Sequence, residues 1–250
     1  MSASYRINKY LALAGIGSRR YCDRLVQKNR VKKNGVTVSS PAERVSDDDI
    51  VEVDGKKVSR NEEKIYLMLN KPRGSLTTVK DPQGRTTVMA YIQDFPYRIF
   101  PVGRLDSDSE GLLLLTNDGE VAYILTHPRF QVEKRYLVYT SCGVTQQHFS
   151  QMRTGIHIRG ETYRIQSGKT ISSNPSVTLS EVILTEGKKH EVRILFDSVD
   201  CPVLRLVRLS MGPLRLDEGL LPGHWRSLTQ QEKYELCEYV KEKKHGEKKY

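Results

Sequence analysis

The sequence predicts an α+β protein: a small two-helix, small-sheet domain followed by a larger domain with a mixed, mainly antiparallel sheet and flanking helices. Three observations carry this expectation. Two helical stretches and two two-residue hairpin signals crowd into the first sixty residues. A polar stretch, Ser59-Arg60-Asn61-Glu62-Glu63-Lys64, separates them from the buried-strand pattern Ile65-Tyr66-Leu67-Met68-Leu69. Beyond it, strands and helices do not alternate in the βα rhythm of a doubly wound parallel sheet. The expected organisation is a first domain over 1–58, a linker over 59–64, a second domain over 65–236 and a charged tail over 237–250.

Ile7, Tyr10, Leu11 and Ala14 follow i, i+3, i+4, i+7 spacing, so residues 6–14 should be a short amphipathic helix stopped by Gly15. Ser18 is placed to cap a second helix, whose apolar side is Cys22, Leu25 and Val26. On a different side of it, Arg20, Arg24 and Lys28 recur every four residues as a basic stripe. Asn34-Gly35 sits between Val31-Lys32-Lys33 and Val36-Thr37-Val38, and Asp54-Gly55 repeats the device between Ile50-Val51-Glu52-Val53 and Lys56-Lys57-Val58.

In the second domain, the strand at Ile65–Leu69 leads into a loop, Asn70-Lys71-Pro72-Arg73-Gly74, with two residues that restrict the backbone. Gly111–Thr116 reads as a strand buried on both faces and stopped by Asn117-Asp118-Gly119. Just before it, Pro101-Val102-Gly103-Arg104-Leu105-Asp106 mounts a carboxylate at a strand mouth, where a rigid element supports an irregular loop. Alternation from Val132 to Thr140 gives a strand with Tyr136 on one face, and Ser180–Thr185 gives another. Val192, Leu195, Phe196 and Val199 mark a helix, with Arg193 at the flank of its apolar stripe. Val203–Leu209 is a further strand carrying Arg205, Leu206 and Arg208.

Forty Lys and Arg against thirty Asp and Glu give a formal charge of +10, a balance that favours polyanionic partners through counterion release. Between Arg6 and Lys33 nine cations face the single acid Asp23, a self-repulsion that nearby phosphates would relieve. Cys22, Cys142, Cys201 and Cys237 lie far apart with no C-x-x-C pair, so neither a zinc site nor a disulfide framework is expected and a reducing cytoplasm fits. The start lacks the apolar stretch of a signal peptide, and no apolar segment approaches the ~20 residues a membrane helix needs. Neither the six histidines nor the glycines form a metal or nucleotide-phosphate fingerprint.

The string Gly103-Arg104-Leu105-Asp106 resembles the GRLD signature of the RsuA family of pseudouridine synthases. Asn70-Lys71-Pro72-Arg73-Gly74 is similar to the NKPxG opening of that family's catalytic domain, and the string Gly187 to Arg193, taken with the Asp106 string, makes the likeness highly specific. Residues 5–52 resemble an S4 RNA-binding domain, through Arg6-Ile7-Asn8-Lys9-Tyr10-Leu11 and Gly17-Ser18-Arg19-Arg20. The likeness runs from Arg6 to about Leu228. It implies an enzyme that breaks the uridine N1–C1′ bond, turns the base and rejoins it through C5, without metal or cofactor. By the same resemblance Asp106 is the essential carboxylate, Arg193 its basic partner and Tyr136 the active-site tyrosine. Arg104 would hold the extruded nucleotide, Leu206 would contact the flipped base, and Arg205 and Arg208 would bind substrate. Arg19, Arg20, Arg24, Lys28, Arg30, Lys32, Lys188 and Lys189 are the expected RNA contacts. The sequence departs from relatives at Ile194, where a second basic residue is common, and at Ser210, where an Arg-x-Arg would end.

The resemblance implies ribosomal RNA, free or in a ribosomal assembly intermediate, as partner of a monomeric chain with no membrane association. A non-catalytic ribosome-associated S4 protein is the alternative, but it has no use for Asp106, Tyr136 and Arg193 together. A glycoside or nucleoside hydrolase could nominate Asp108 or Glu110 as a second acid. That reading leaves the basic N-terminal domain unexplained.

Overall fold

The computed structural model describes residues 4–60, 63–158 and 160–246. Two compact units divide the chain, one of residues 1–64 with 96–98 and the other of 65–95 with 99–250.

In the first unit β1 (Tyr5–Arg6) leads into α1 (Ile7–Leu13), and α2 (Arg19–Gln27) follows the turn at Gly15. Ser18 Oγ accepts from the Tyr21 amide at 3.2 Å and caps α2. Next come β2 (Val31–Lys33), β3 (Val36–Thr37), β4 (Arg44–Val45), β5 (Val51–Val53) and β6 (Lys56–Val58). Strands β3-β2-β5-β6 form one sheet and β1-β4 another. Both hairpin turns have left-handed residues at both central positions, φ 51° and 80° at Asn34-Gly35 and φ 50° and 76° at Asp54-Gly55, which matches the twist of the strands they join. Ile7 and Leu11 of α1 and Cys22, Leu25 and Val26 of α2 pack on Val31, Val51 and Val53. Arg60, expected in a linker, is held within this unit by Asp47 at 2.5 Å and lies 4.7 Å over the Tyr5 ring. Residues 61 and 62 of that stretch fall outside the described residues.

The second unit contains β7 (Tyr66–Lys71), β8 (Phe100–Pro101), β9 (Glu110–Thr116), α3 (Gly119–Thr126), β10 (Lys134–Thr140), α4 (Gln146–Thr154), β11 (Ile156–Ile158), β12 (Glu161–Tyr163), β13 (Ser167–Ser173), β14 (Thr178–Leu184), α5 (Glu191–Asp197), β15 (Val203–Met211), β16 (Leu214–Arg215), β17 (Trp225–Ser227) and α6 (Gln230–Gly246). Its main sheet runs β13-β14-β10-β15-β9-β7-β17, with β16 on β15 and β8 on β9. Among the described residues every pair in it is antiparallel except β15–β9. The apolar run of β9 is buried on both faces because each face has its own core. Leu112 and Leu114 join Met68, Val121 and Leu125, while Leu113 and Leu115 join Leu69, Val88 and Ile99. A third cluster places Tyr136 and Val138 of β10 against Leu195 and Phe196 of α5 and Phe149 of α4.

Three sequence expectations are corrected here. Asn117-Asp118-Gly119 is more than a turn, since Asp118 Oδ1 accepts the Glu120 amide at 2.9 Å and caps α3. Helix α6 continues from Gln230 to Gly246 through the expected charged tail, because Leu236 and Val240, one turn apart, bury in the core; residues 247–250 lie outside the described residues. Cys142 and Cys201 form a disulfide, 59 residues apart, against the expectation that the cysteines do not pair. The register explains it. Thr140 of β10 faces Val203 of β15 in an antiparallel pair, so the residues two steps beyond one and two steps before the other meet.

The parallel contact of β9 with β15 positions the loop that β9 terminates. Gly111, at φ 101°, pairs with Arg208, and a Cβ there would stand 2.4 Å from the Arg208 carbonyl oxygen and 2.7 Å from its amide nitrogen. Gly111→Ala is therefore expected to cost about 3 kcal/mol or more in urea unfolding, combining backbone overlap with a left-handed φ. Gly119→Ala, in open space at the start of α3, should change stability by under ~1 kcal/mol. Equal effects would remove the close approach as the reason for glycine at 111.

Candidate active site

Asp106 stands in the loop between β8 and β9, and its neighbours in sequence are fixed on both sides. Thr77 Oγ1 donates to the Leu105 carbonyl at 2.6 Å and accepts from the Leu105 amide at 3.2 Å. On the other side the Gly74 amide donates to the Ser107 carbonyl at 2.6 Å. Beneath the loop the fully buried Lys71 ammonium donates to the carbonyls of Ser109 at 2.7 Å, Pro72 at 3.1 Å and Ser107 at 3.4 Å. The Asp106 carboxylate itself stays a third exposed, with Oδ2 3.4 Å from Nδ1 of His190.

A cleft of about 300 Å³ opens over this carboxylate. Of the residues expected to form the site, Arg104, Tyr136, Arg193 and Leu206 line it with Asp106, as do Lys188 and Lys189. They reach it from separate elements. Tyr136 comes from β10, Leu206 from β15 and Arg193 from α5, while Lys188 and Lys189 come from the loop that ends at His190, whose φ of 56° turns the chain into that helix. Tyr136 and Leu206 are almost wholly buried and give the cleft apolar walls, and Arg104 and Lys189 are exposed at its rim. Such a cleft suits a flat apolar ring with a phosphate-bearing backbone outside.

Residues 65–198 match the RNA pseudouridylate synthase family, and residues 6–51 match the S4 domain. The chain belongs to the RNA pseudouridine synthase family. An uncharacterized RNA pseudouridine synthase of Aquifex aeolicus is 41% identical over 237 residues, 94% of either chain. Ribosomal large subunit pseudouridine synthase B of Bacillus subtilis is 36% identical over 229 residues, 91% of this chain and 93% of its own. A crystal structure of a pseudouridylate synthase is similar at a TM-score of 0.65 and 30% identity, covering 92% of this chain and 99% of that one. This chain is thus an enzyme that acts on RNA, and among its described residues no helix is long and apolar enough to cross a membrane.

Several side chains of the synthase stand elsewhere than the sequence suggested. Arg193 pairs with Asp108 at 2.7 Å, not with Asp106, and also donates to the Val203 carbonyl at 3.0 Å. The carboxylate two residues further on lies where α5 delivers the guanidinium. Arg208, expected at the substrate, is buried in the sheet, with Nε donating to the Leu112 carbonyl at 2.8 Å. Arg205 is held bidentately by Glu110 at 2.9 and 2.8 Å and stacks on Tyr139. On the first unit Arg19, Arg20, Arg24, Lys28 and Lys32 are exposed, as a phosphate-binding stripe requires, whereas Arg30 is engaged by Asp54 at 2.7 and 2.5 Å.

Sequence reasoning passed over Lys71, Thr77, His190 and Glu191. For Lys71 the available signal was a lysine ending a buried strand. Burial lowers its pKa to about 8, and burial does the same to Lys134, whose ammonium donates to the carbonyls of Val132 and Thr185. Glu191 lines the cleft from within the protein. Its Oε2 accepts the Lys188 amide at 3.0 Å, Oε1 lacks a hydrogen-bond partner among the described residues, and burial raises its pKa to about 7.

The sign of that shift fixes a pH dependence. A folded pKa of about 7 above the ordinary 4.5 means that the folded state holds the proton more tightly. The stabilisation is complete below about pH 4.5 and lost as pH rises through 7. Glu191→Gln stays neutral throughout, so its melting temperature should gain on the wild type between those values and run parallel below them. Parallel curves across the whole range would show that Glu191 folds as an ordinary carboxylate.

Proposed function

We propose that this enzyme isomerises a specific uridine of ribosomal RNA to pseudouridine, with Asp106 as its essential carboxylate. The observation that carries the reading is the convergence of Asp106, Tyr136 and Leu206 in one cleft rimmed by Arg104 and Lys189. The relative named for the large ribosomal subunit supports ribosomal RNA as the substrate class, and such a substrate, free or in an assembly intermediate, implies action in the cytoplasm. The target nucleotide leaves its stack to enter the cleft. Asp106 then acts on the sugar, by attack at C1′ or by taking the 2′ proton, and the N1–C1′ bond breaks. The base turns against the Tyr136 ring and the Leu206 side chain until C5 faces C1′. C5 attacks C1′, displacing the Asp106 carboxylate from its ester or, by the other route, with the 2′ proton returned to the sugar; the C5 proton then leaves with help from the Tyr136 hydroxyl and N1 takes up a proton. Arg193, held by Asp108, contributes positive potential at the wall of the cleft, where burial weakens screening.

The S4 domain supplies RNA affinity through its exposed stripe. Replacing Arg20, Arg24 and Lys28 together by Met should weaken RNA binding and flatten the plot of log affinity against log salt by about 2 units, because up to three phosphate contacts disappear. An unchanged slope would make the stripe a solvated face. The chemistry is tested by release of tritium from C5-labelled ribosomal RNA transcripts. Asp106→Asn should lose at least ~100-fold in turnover while RNA affinity stays within severalfold, since the carboxylate does chemistry and adds little binding. Product formation at the wild-type rate by that variant would end the assignment. RNA binding without product from the wild type would leave the non-catalytic reading.

A further inference from the structure

Beside the catalytic cleft lies a second, of about 530 Å³, walled on its outer side by the loop that follows β7. Arg104, Leu105, Asp106, Lys189 and His190 border both, so the two are continuous. The outer wall contributes Thr77 at its near end and Lys80, Asp81 and Arg85 at its far end.

Both ends of this wall are organised. At the far end Asp81 Oδ2 accepts the amides of Gln83 at 3.2 Å and Arg85 at 3.0 Å, and the carboxylate holds the Arg85 guanidinium at 3.1 and 2.8 Å. That grip fixes the guanidinium while 58% of the Arg85 side chain stays exposed, so its remaining N–H groups face solvent. At the near end the paired bonds of Thr77 to Leu105 join the wall to the residue before Asp106. The cleft carries Lys80, Arg85, Arg104 and Lys189 against Asp81 and Asp106, and Asp81 is already spent on Arg85. The excess of positive charge suits a phosphodiester backbone.

We propose that this second cleft is the subsite for the nucleotide adjoining the target uridine. Its phosphodiester is met by Lys80 and Arg85, and Thr77 is the positioning residue that keeps the subsite in register with Asp106. The inference rests on the RNA isomerase reading and assigns a neighbouring site to the same strand. When one nucleotide is flipped into the catalytic cleft, the backbone beside it leaves over the shared rim, and the second cleft is the continuation of that path.

The test starts by locating the pseudouridine that the wild-type enzyme makes in transcripts of small- and large-subunit ribosomal RNA. A short RNA spanning that uridine is then made with a single uncharged methylphosphonate at each flanking linkage in turn. The wild type should lose about tenfold in kcat/KM for one of these linkages, the order expected of one charge-assisted contact. The Lys80→Met, Arg85→Met double variant should lose about as much on unmodified RNA and less than about twofold more on that modified RNA, because both changes remove the same contact. Thr77→Val should slow the single-turnover rate at saturating enzyme by about tenfold, with RNA affinity within about twofold and a melting temperature lowered by only a few degrees. Thr77→Ser, which keeps the hydroxyl, should restore the rate. The inference is overturned if the double variant keeps full sensitivity to every flanking methylphosphonate, if Thr77→Val turns over like the wild type, or if Thr77→Ser is as slow as Thr77→Val. No pseudouridine from the wild type on either transcript would instead overturn the isomerase reading, and this inference with it, before any variant is made.

Discussion

The ammonium of Lys71 is the contact on which the active loop depends. Three carbonyls, those of Pro72, Ser107 and Ser109, accept from it at the mouth of β9; those of Pro72 and Ser107 also accept from the Ser75 hydroxyl and the Gly74 amide. A buried carbonyl without a donor costs about 1–3 kcal/mol; the Lys71 ammonium supplies the donor to Ser109 and ties Pro72 and Ser107 to the same point. The loop can therefore leave the sheet at Glu110 and still close over the core. With Thr77 fixing Leu105 and Gly74 fixing Ser107, Asp106 is left as the link between two anchored residues. Its placement is set by hydrogen bonds to the backbone on either side, while the carboxylate has, among the described residues, no ionic partner nearer than His190 at 3.4 Å.

This arrangement carries an electrostatic cost that a purely structural core would avoid. Lys71, Lys134 and Arg208 are buried cations, and Glu191 is the buried acid near Lys134. Because burial brings both lysines down to about 8 from 10.5, stability falls as pH falls from about 10.5 to about 8, the loss is complete below that, and at neutral pH both are mostly protonated. Removing such a cation from water is offset by carbonyl hydrogen bonds and by potential from the nearby acids. Asp106, Asp108 and Glu110 all raise the Lys71 pKa, though less than burial lowers it. The group that ties the loop carbonyls together is thus itself held in its charged form by the acids of that loop.

Much of this was legible in the sequence wherever a local rule has a local consequence. The two hairpins follow from Asn34-Gly35 and Asp54-Gly55, because left-handed φ at both positions specifies the turn. The double-sided burial of β9 follows from its unbroken apolar run, and the basic side of α2 from the spacing of Arg20, Arg24 and Lys28. What escaped depends on pairing at long range. Arg208 reads like its exposed neighbour Arg205 until β15 is placed beside β9, whereupon one guanidinium enters the sheet and the other meets Glu110. The Cys142–Cys201 bond has no local spacing to reveal it and follows from the register of β10 on β15. Thr77 carries no motif of its own. Its importance appears once its loop is seen to reach Leu105, 28 residues on.

The pairing of Arg193 shows why motif and geometry had to be read together. The resemblance assigned a cation to the catalytic carboxylate, and the structure delivers that cation to Asp108, two residues away, at 2.7 Å. On the proposed reading, a direct bidentate pair would occupy the Asp106 oxygens that have to reach the sugar. Offsetting the guanidinium keeps its charge in the cleft wall, with 17% of the side chain exposed, and leaves Asp106 facing His190 across 3.4 Å. In the open cleft water screens this field; were a nucleotide to fill the space over Tyr136 and Leu206, as proposed, the water would leave and the same charges would act through a lower dielectric. On that reading, substrate entry strengthens the field of Arg193 at Asp106 without moving the backbone that Lys71, Thr77 and Gly74 hold in place.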